Sequence, residues 1–233
     1  MNAADEAAGW LAEAWETGNP IAAPLPEDLA PTDAEAGERI AAALVARLGL
    51  TPIGLRLAPG PRGEWLAGPV LEPRMLRAGT PLSVAAYPGA RLSAGILGVL
   101  GEALGEGEPV FSALHPVLDL AAERWTTGAP DAAHRLADLN GLGLLLVGKR
   151  SAAPGLPQMS DARLGRTGER PRPERTPVAA LVAEAAAAAR RWGGLPAGAV
   201  IAVVGLGGSE TPRAGERWSA GVPPVGRINA EFV

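Results

Sequence analysis

Apolar positions along the chain fall into two regimes, helical spacing near the N-terminus and short strand-like runs thereafter. Residues 4–16 predict a helix, with Leu11 and Trp15 one turn apart on one face and Trp10 beside them. A proline-punctuated loop over 17–31 precedes a second helix opened by Thr32, whose spacing to Glu35 is that of a capping box. Ile40, Leu44 and Leu48 form its apolar stripe, and Gly49 ends it. From Thr51 the pattern changes. Pro52–Ala58 and Leu82–Tyr87 are short apolar stretches bounded by Pro or Gly, and Arg91–Leu100 is apolar enough for a buried strand. Helix-like segments follow over 112–124 and 131–139, and Leu142–Gly148 predicts a fully buried strand. Residues 149–175, rich in Pro, Gly and Arg, read as a long loop or an eroded hairpin. Thr176-Pro177 opens a helix that runs to Trp192 and stops at Gly193-Gly194. Ala199–Val204 and Arg227–Val233 are closing strands around a turn-rich linker.

This order predicts an α+β fold, with a helical segment over 1–50 and a largely antiparallel, curled sheet domain over 51–233 that carries helices on its outside. No internal repeat and no clean linker divide the chain.

Composition narrows the chemistry. The 31 glycines and 23 prolines make nearly a quarter of the 233 residues, which favours short strands and turns over a helical bundle. The absence of cysteine excludes disulfides, thiolate zinc sites, iron–sulfur ligation and a cysteine nucleophile. With only His115 and His134, a three-histidine metal site is excluded too. A net charge of -4 argues against nucleic acid as the main partner. No apolar run approaches the roughly 20 residues of a membrane helix. The opening residues lack the basic and apolar regions of a signal peptide, so a cytoplasmic protein is expected. Of 21 basic residues only Lys149 is lysine. That bias fits coding composition, and no function is drawn from it.

Single motifs are weak. Gly205-Leu-Gly-Gly-Ser follows an apolar strand, but Thr211-Pro-Arg-Ala-Gly comes next in place of the helix N-terminus that a phosphate loop needs, so a tight turn is the plainer reading. Asp131, His134 and Asp138 share one face of a helix; a solvated face is preferred to a metal site. His115 and Asp119 are four apart, an acid–base dyad or a helix-surface hydrogen bond. Glu102, Glu106 and Glu108 read as surface charges, and Lys149 as exposed rather than as a Schiff-base lysine. No G-x-S-x-G nucleophile elbow is present.

The order of segments carries more than any motif. LAEAWETGNPIAAPLPEDLAPTDAEAGERIAAALVARLGLTPIGLRLA, RLSAGILGVLGEAL, HPVLDLAAERW, HRLADLNGLGLLLVG, TPVAALVAEAAAAA and LPAGAVIAVVGLGGSETPRAGERWSAGVPPVGRINAEFV follow one another along essentially the whole chain. The sequence resembles the 2-keto-4-pentenoate hydratases and 4-oxalocrotonate decarboxylases, a branch of the fumarylacetoacetate hydrolase superfamily. The resemblance implies a β-roll-like fold, a homo-oligomer, and a lyase reaction on a small 2-oxo or 2-hydroxydienoic acid. It also implies a Mg²⁺ or Mn²⁺ ion that grips the substrate's oxygens.

At the positions that the resemblance assigns to the metal, this chain departs. Ser93 and Gly95 stand where two glutamates are expected, and Asp119 is the one acid kept. Arg56 stands for the expected active-site lysine, keeping its charge but not its ability to release a proton. One carboxylate is a poor cage for a hard divalent ion, so no cofactor is expected unless the ancestral Mg²⁺ or Mn²⁺ site is retained. The implied site is Arg56, Asp119 and His115 for catalysis, with Gly207, Gly208 and Ser209 shaping an anion pocket for a small carboxylic acid. The alternatives are a non-catalytic partner that forms a hetero-oligomer with an active relative, or a metal-independent cyclase or isomerase.

Overall fold

The computed structural model describes residues 2–22, 24–87, 89–153 and 155–233. Met1, Ala23 and Pro154 belong to the expected 1–50 segment, the 17–31 loop and the 149–175 segment and lie outside those residues, as does Pro88. Two helices open the chain. Helix α1 (Ala3–Thr17) is capped by Asn2, whose side chain accepts from the Asp5 N–H at 2.9 Å, and ends on Gly18 at φ 72°. Helix α2 (Ala34–Leu48) is capped by Asp33, which accepts from the Ala36 N–H at 2.8 Å. Thr32, the expected cap, sits one residue outside, because the Asp33 carboxylate already meets the first free N–H. Leu11, Trp15, Ile40 and Leu44 pack together with Leu71, Leu139 and Leu142 from later in the chain.

The remainder is sheet, with two helices: α3 (Ala132–Ala137) and α4 (Val178–Arg191). The strands are β1 (Pro52–Pro59), β2 (Trp65–Leu71), β3 (Met75–Arg77), β4 (Arg91–Leu100), β5 (Phe111–Ala121) and β6 (Leu144–Val147), followed by β7 (Ser160–Arg166), β8 (Glu174–Thr176), β9 (Val200–Glu210), β10 (Arg217–Val222) and β11 (Gly226–Glu231). Seven form a mixed sheet in the order β2-β1-β9-β4-β5-β6-β3, and four form a second sheet in the order β11-β10-β7-β8. The fold is α+β, as the sequence predicts.

The large sheet curls. On one face Val70, Ala58, Ala202, Leu97, Val117 and Leu145, from six successive strands, pack on one another. The other face carries Leu57, Ile96, Leu118 and Val203 against α4 and the second sheet, where Trp218, Ile228 and Phe232 close the main core. No helix among the described residues is long and apolar enough to cross a membrane.

Four elements differ from the sequence reading. Residues 112–124 form β5 and not a helix. Pro116 sits mid-segment without the N–H that a helix interior requires, and both faces of the strand are buried, so the period-two signal is erased. Leu82–Tyr87 is no strand: Leu82 makes one isolated bridge to Phe232, and Val84–Ala86 form a single 3-10 turn. The 205–209 stretch is no tight turn. Strand β9 continues to Glu210, and its pairing with β4 shifts register where Gly205, Gly207 and Gly208 take positive φ, a bulged strand. Helix α4 starts at Val178 with Pro177 at its cap and no side-chain cap bond, because Thr176 is held in β8. Residues 149–175 contain the β7–β8 hairpin, and the linker before β11 contains β10.

Candidate active site

A cavity of about 560 Å³ opens at one mouth of the curled sheet, and its floor is an ion pair. Arg56 projects from β1 and Asp119 from β5 onto the inner face; each is 1% exposed. The guanidinium grips the carboxylate with two bonds, Nε to Oδ1 at 2.9 Å and Nη2 to Oδ2 at 2.6 Å. Its Nη1 donates to the Asn140 carbonyl at 2.8 Å. A guanidinium has five N–H groups. These three bonds leave two without a partner among the described residues, on a guanidinium that lines the cavity.

Asn140 supports this geometry from behind. It is fully buried with a left-handed backbone (φ 54°), a conformation that asparagine tolerates better than most residues. Its amide donates to the Leu66 carbonyl at 2.6 Å and its Oδ1 accepts from Arg135 Nε at 3.3 Å. Arg135 also pairs with Glu123, whose other oxygen accepts the Ala129 N–H. Burial, joined by repulsion from Arg56, lowers the Arg135 pKa to about 10. At the rim, Arg91 donates to Ser209 through Nε and Nη2, reaching Oγ at 2.8 Å and the carbonyl at 2.9 Å. Trp125 lines the wall with its ring edge-on to His134, and its buried Nε1 has no hydrogen-bond partner among the described residues.

The structure brings together Arg56, Asp119, Ser93, Gly208 and Ser209 around this cavity. It does not bring His115. On a strand, four residues put His115 about 13 Å from Asp119 along the inner face; His115 Nδ1 contacts the Gly148 carbonyl at 2.9 Å. The dyad and the helix-surface bond both fall with the helix that would have made them. Gly207 also points elsewhere, since a Cβ there would lie 3.1 Å from the β7 backbone. Asp131, His134 and Asp138 form neither a metal site nor a solvated face. Asp131 caps α3, His134 Nδ1 contacts its carboxylate at 2.8 Å, and Asp138 is 0% exposed. Lys149, Glu102, Glu106 and Glu108 are exposed. Glu123, Arg135, Asn140 and Arg91 escaped the sequence reading. Asn140-Gly141 gave only a turn signal.

The residues at this mouth do not fit a divalent ion. Both Asp119 oxygens are taken by Arg56. Ser93 Oγ accepts the Gly205 N–H at 2.9 Å, and a hydroxyl brings no charge. No side chain can enter at Gly95, where a Cβ would lie 2.6 Å from the Val203 carbonyl oxygen and 2.7 Å from a Val204 methyl. Among the described residues no group of three or more His, Cys, Asp or Glu is arranged to hold a metal. The cation next to Asp119 is Arg56 itself.

No protein-family model matches the sequence, and no curated protein matches it. Solved structures do. 4-Oxalocrotonate decarboxylase from Pseudomonas putida G7, complexed with magnesium and adipate, aligns over 99% of this chain and 97% of its own, with TM-score 0.79 and 14% identity. The 2-hydroxyhepta-2,4-diene-1,7-dioate isomerase from Mycobacterium marinum aligns over 79% and 77%, with TM-score 0.56 and 12% identity. Fumarylpyruvate hydrolase from Pseudomonas aeruginosa, in complex with Mn²⁺ and pyruvate, aligns over 77% and 88%, with TM-score 0.52 and 16% identity. These neighbours are enzymes named for small oxo or dienoic acids, and the first matches the N-terminal helices as well as the sheet. The chain has the fold of the fumarylacetoacetate hydrolase superfamily.

Proposed function

We propose that this chain is a lyase of the hydratase or decarboxylase type, acting on a small 2-oxo or 2-hydroxydienoic acid without a divalent ion. The observation that carries the reading is the guanidinium of Arg56, which lines the cavity, is fixed in plane by Asp119 and Asn140, and has two N–H groups without a partner among the described residues. In both reactions negative charge reaches the substrate's 2-oxygen through the conjugated carbons, as a bond further along the chain is made or broken. A pre-oriented cationic donor stabilises that charge without reorganising. Asp119 is then a positioning residue, because both its oxygens are occupied by Arg56. Glu123, part-exposed on the cavity wall, has both oxygens engaged as well, by Arg135 and the Ala129 N–H, so the proton is passed between substrate and solvent water.

The test is turnover of 2-hydroxypenta-2,4-dienoate and 4-oxalocrotonate, followed by absorbance with EDTA or with added Mg²⁺ or Mn²⁺. The reading expects activity that EDTA leaves intact and that Arg56→Ala abolishes. Arg56→Lys, which cannot keep the two-bond grip while donating forward, should lose most of it. Turnover only with metal, or equal turnover in Arg56→Ala, would reject the reading.

One observation favours a second reading. Each acid on the cavity wall is matched to an arginine, Asp119 to Arg56 and Glu123 to Arg135. A site so neutralised suits binding without chemistry, in a chain that assembles with itself or with an active relative. Ligand binding with no turnover, together with a hetero-oligomer seen by light scattering, would support it.

A further inference from the structure

The charge on the cavity wall points to one ligand charge. Three arginines line it, Arg56, Arg91 and Arg135, against two acids, Asp119 and Glu123, an excess of one positive charge. The excess has an address. Arg56 and Arg135 are each paired to an acid, whereas Arg91 forms no ion pair among the described residues. Its Nε and Nη2 hold Ser209, which fixes the guanidinium plane and leaves Nη1 unused. Arg91 pairs across the sheet with Ala121, and the neighbouring pair on the same face is Ser93 with Asp119. Arg91 therefore stands one two-residue repeat, about 7 Å, from the Arg56–Asp119 floor. The lining also offers apolar surface, Ala58, Pro59, Ala121 and Trp125, along with the uncharged Ser93.

We infer that Arg91 is the carboxylate anchor of this cavity, and that the cavity selects acids with a single negative charge and an apolar body. A second carboxylate would have to compete with the reacting oxygen for the remaining Arg56 donors, beside the Asp119 carboxylate, and would find no unpaired cation of its own to offset its desolvation. The inference rests on the proposed function for the identity of the cavity. It deepens that reading by favouring singly charged acids over dicarboxylates.

The test compares two acids of equal length, hexanoate and adipate, by titration calorimetry at fixed ionic strength. Wild type should bind hexanoate at least about ten-fold more tightly than adipate. Arg91→Gln should weaken hexanoate by about ten-fold or more, while Arg91→Lys keeps the preference. Arg217→Gln, on the second sheet, should leave both acids unchanged. Adipate binding as tightly as hexanoate, Arg91→Gln binding like wild type, or no binding of either acid would overturn the inference. Hexanoate binding in a protein that turns nothing over would leave this inference standing and sink the lyase reading.

Discussion

Arg56–Asp119 and Arg124–Asp138 are two buried arginine–aspartate pairs in one molecule, yet their surroundings differ in every respect that bears on function. At the cavity floor the grip is two-pronged and short, and the guanidinium keeps two donors free. Beneath the N-terminal helices, Arg124 stands 3.6 Å from Asp138 and spends its donors on backbone carbonyls instead, on Leu142 at 2.7 Å and on Ala122. Asp138 accepts from the Arg124 backbone N–H at 2.8 Å and from Trp15 Nε1 at 3.2 Å. Trp15 is itself held between two guanidinium groups, Arg124 at 3.6 Å and Arg74 at 4.3 Å from its ring centre. One pair is oriented toward a space that a ligand can fill. The other clamps helix α1 to the sheet, beside a void of only about 50 Å³. What sets the Arg56 pair apart is its two-pronged geometry beside a cavity about ten times larger, wide enough for a small acid.

The largest effect should separate the two pairs by stability. Asp138→Ala leaves Arg124 buried and uncompensated and should cost about 3–5 kcal/mol in urea unfolding. Asp119→Ala should cost less, about 1–3 kcal/mol, because water or an anion can enter from the cavity to meet Arg56. Equal losses would erase the distinction.

A smaller effect comes from packing beside the functional pair. Gly95→Ala should destabilise by about 1–3 kcal/mol as its methyl meets the Val203 carbonyl. If it proves neutral in thermal melts, there is room for a ligand at that position after all. Next comes Trp15→Phe, which removes the indole N–H from Asp138 while keeping an aromatic ring. It should cost about 1–1.5 kcal/mol and leave acid binding in the cavity unchanged.

The smallest effect is one of pH. Burial pushes the Asp138 carboxyl above its ordinary value, against the opposing pull of Arg124. The folded chain therefore takes up this proton at a higher pH than the unfolded chain does. The contribution is fully present below the unfolded pKa near 3.9 and is lost as pH rises through the folded value. Asp138→Asn removes it, so the stability difference should move in favour of wild type as pH falls from neutrality toward about 4. A constant difference across that range would contradict the assignment.

Much of this fold was legible in the chain. Apolar spacing marked α1 and α2, the closing glycines marked the ends of α2 and α4, and the unbroken apolar runs marked β4 and β6, whereas the expected caps Thr32 and Thr176 were not the residues used. Strand β5 was hidden because burial on both faces removes alternation and leaves LDLAAER looking helical. The order of segments led to Arg56 and Asp119 as site residues, but not to their union. They stand 63 residues apart, and only the sheet order β1-β9-β4-β5 puts them face to face. Glu123, Arg135 and Asn140 were invisible for the same reason: each matters through what it touches across the mouth of the roll. Nor does anything in the sequence show that Asp119 fills the main fork of Arg56.

The central claim is that an internal guanidinium has taken the place beside Asp119 that a divalent ion would need. Metal analysis of the purified protein, paired with thermal melts in EDTA, Mg²⁺ and Mn²⁺, tests it most directly. The account predicts no stoichiometric metal and superimposable melts in all three. One equivalent of Mg²⁺ or Mn²⁺ per chain, raising the melting temperature in wild type and lost in Asp119→Asn, would contradict it.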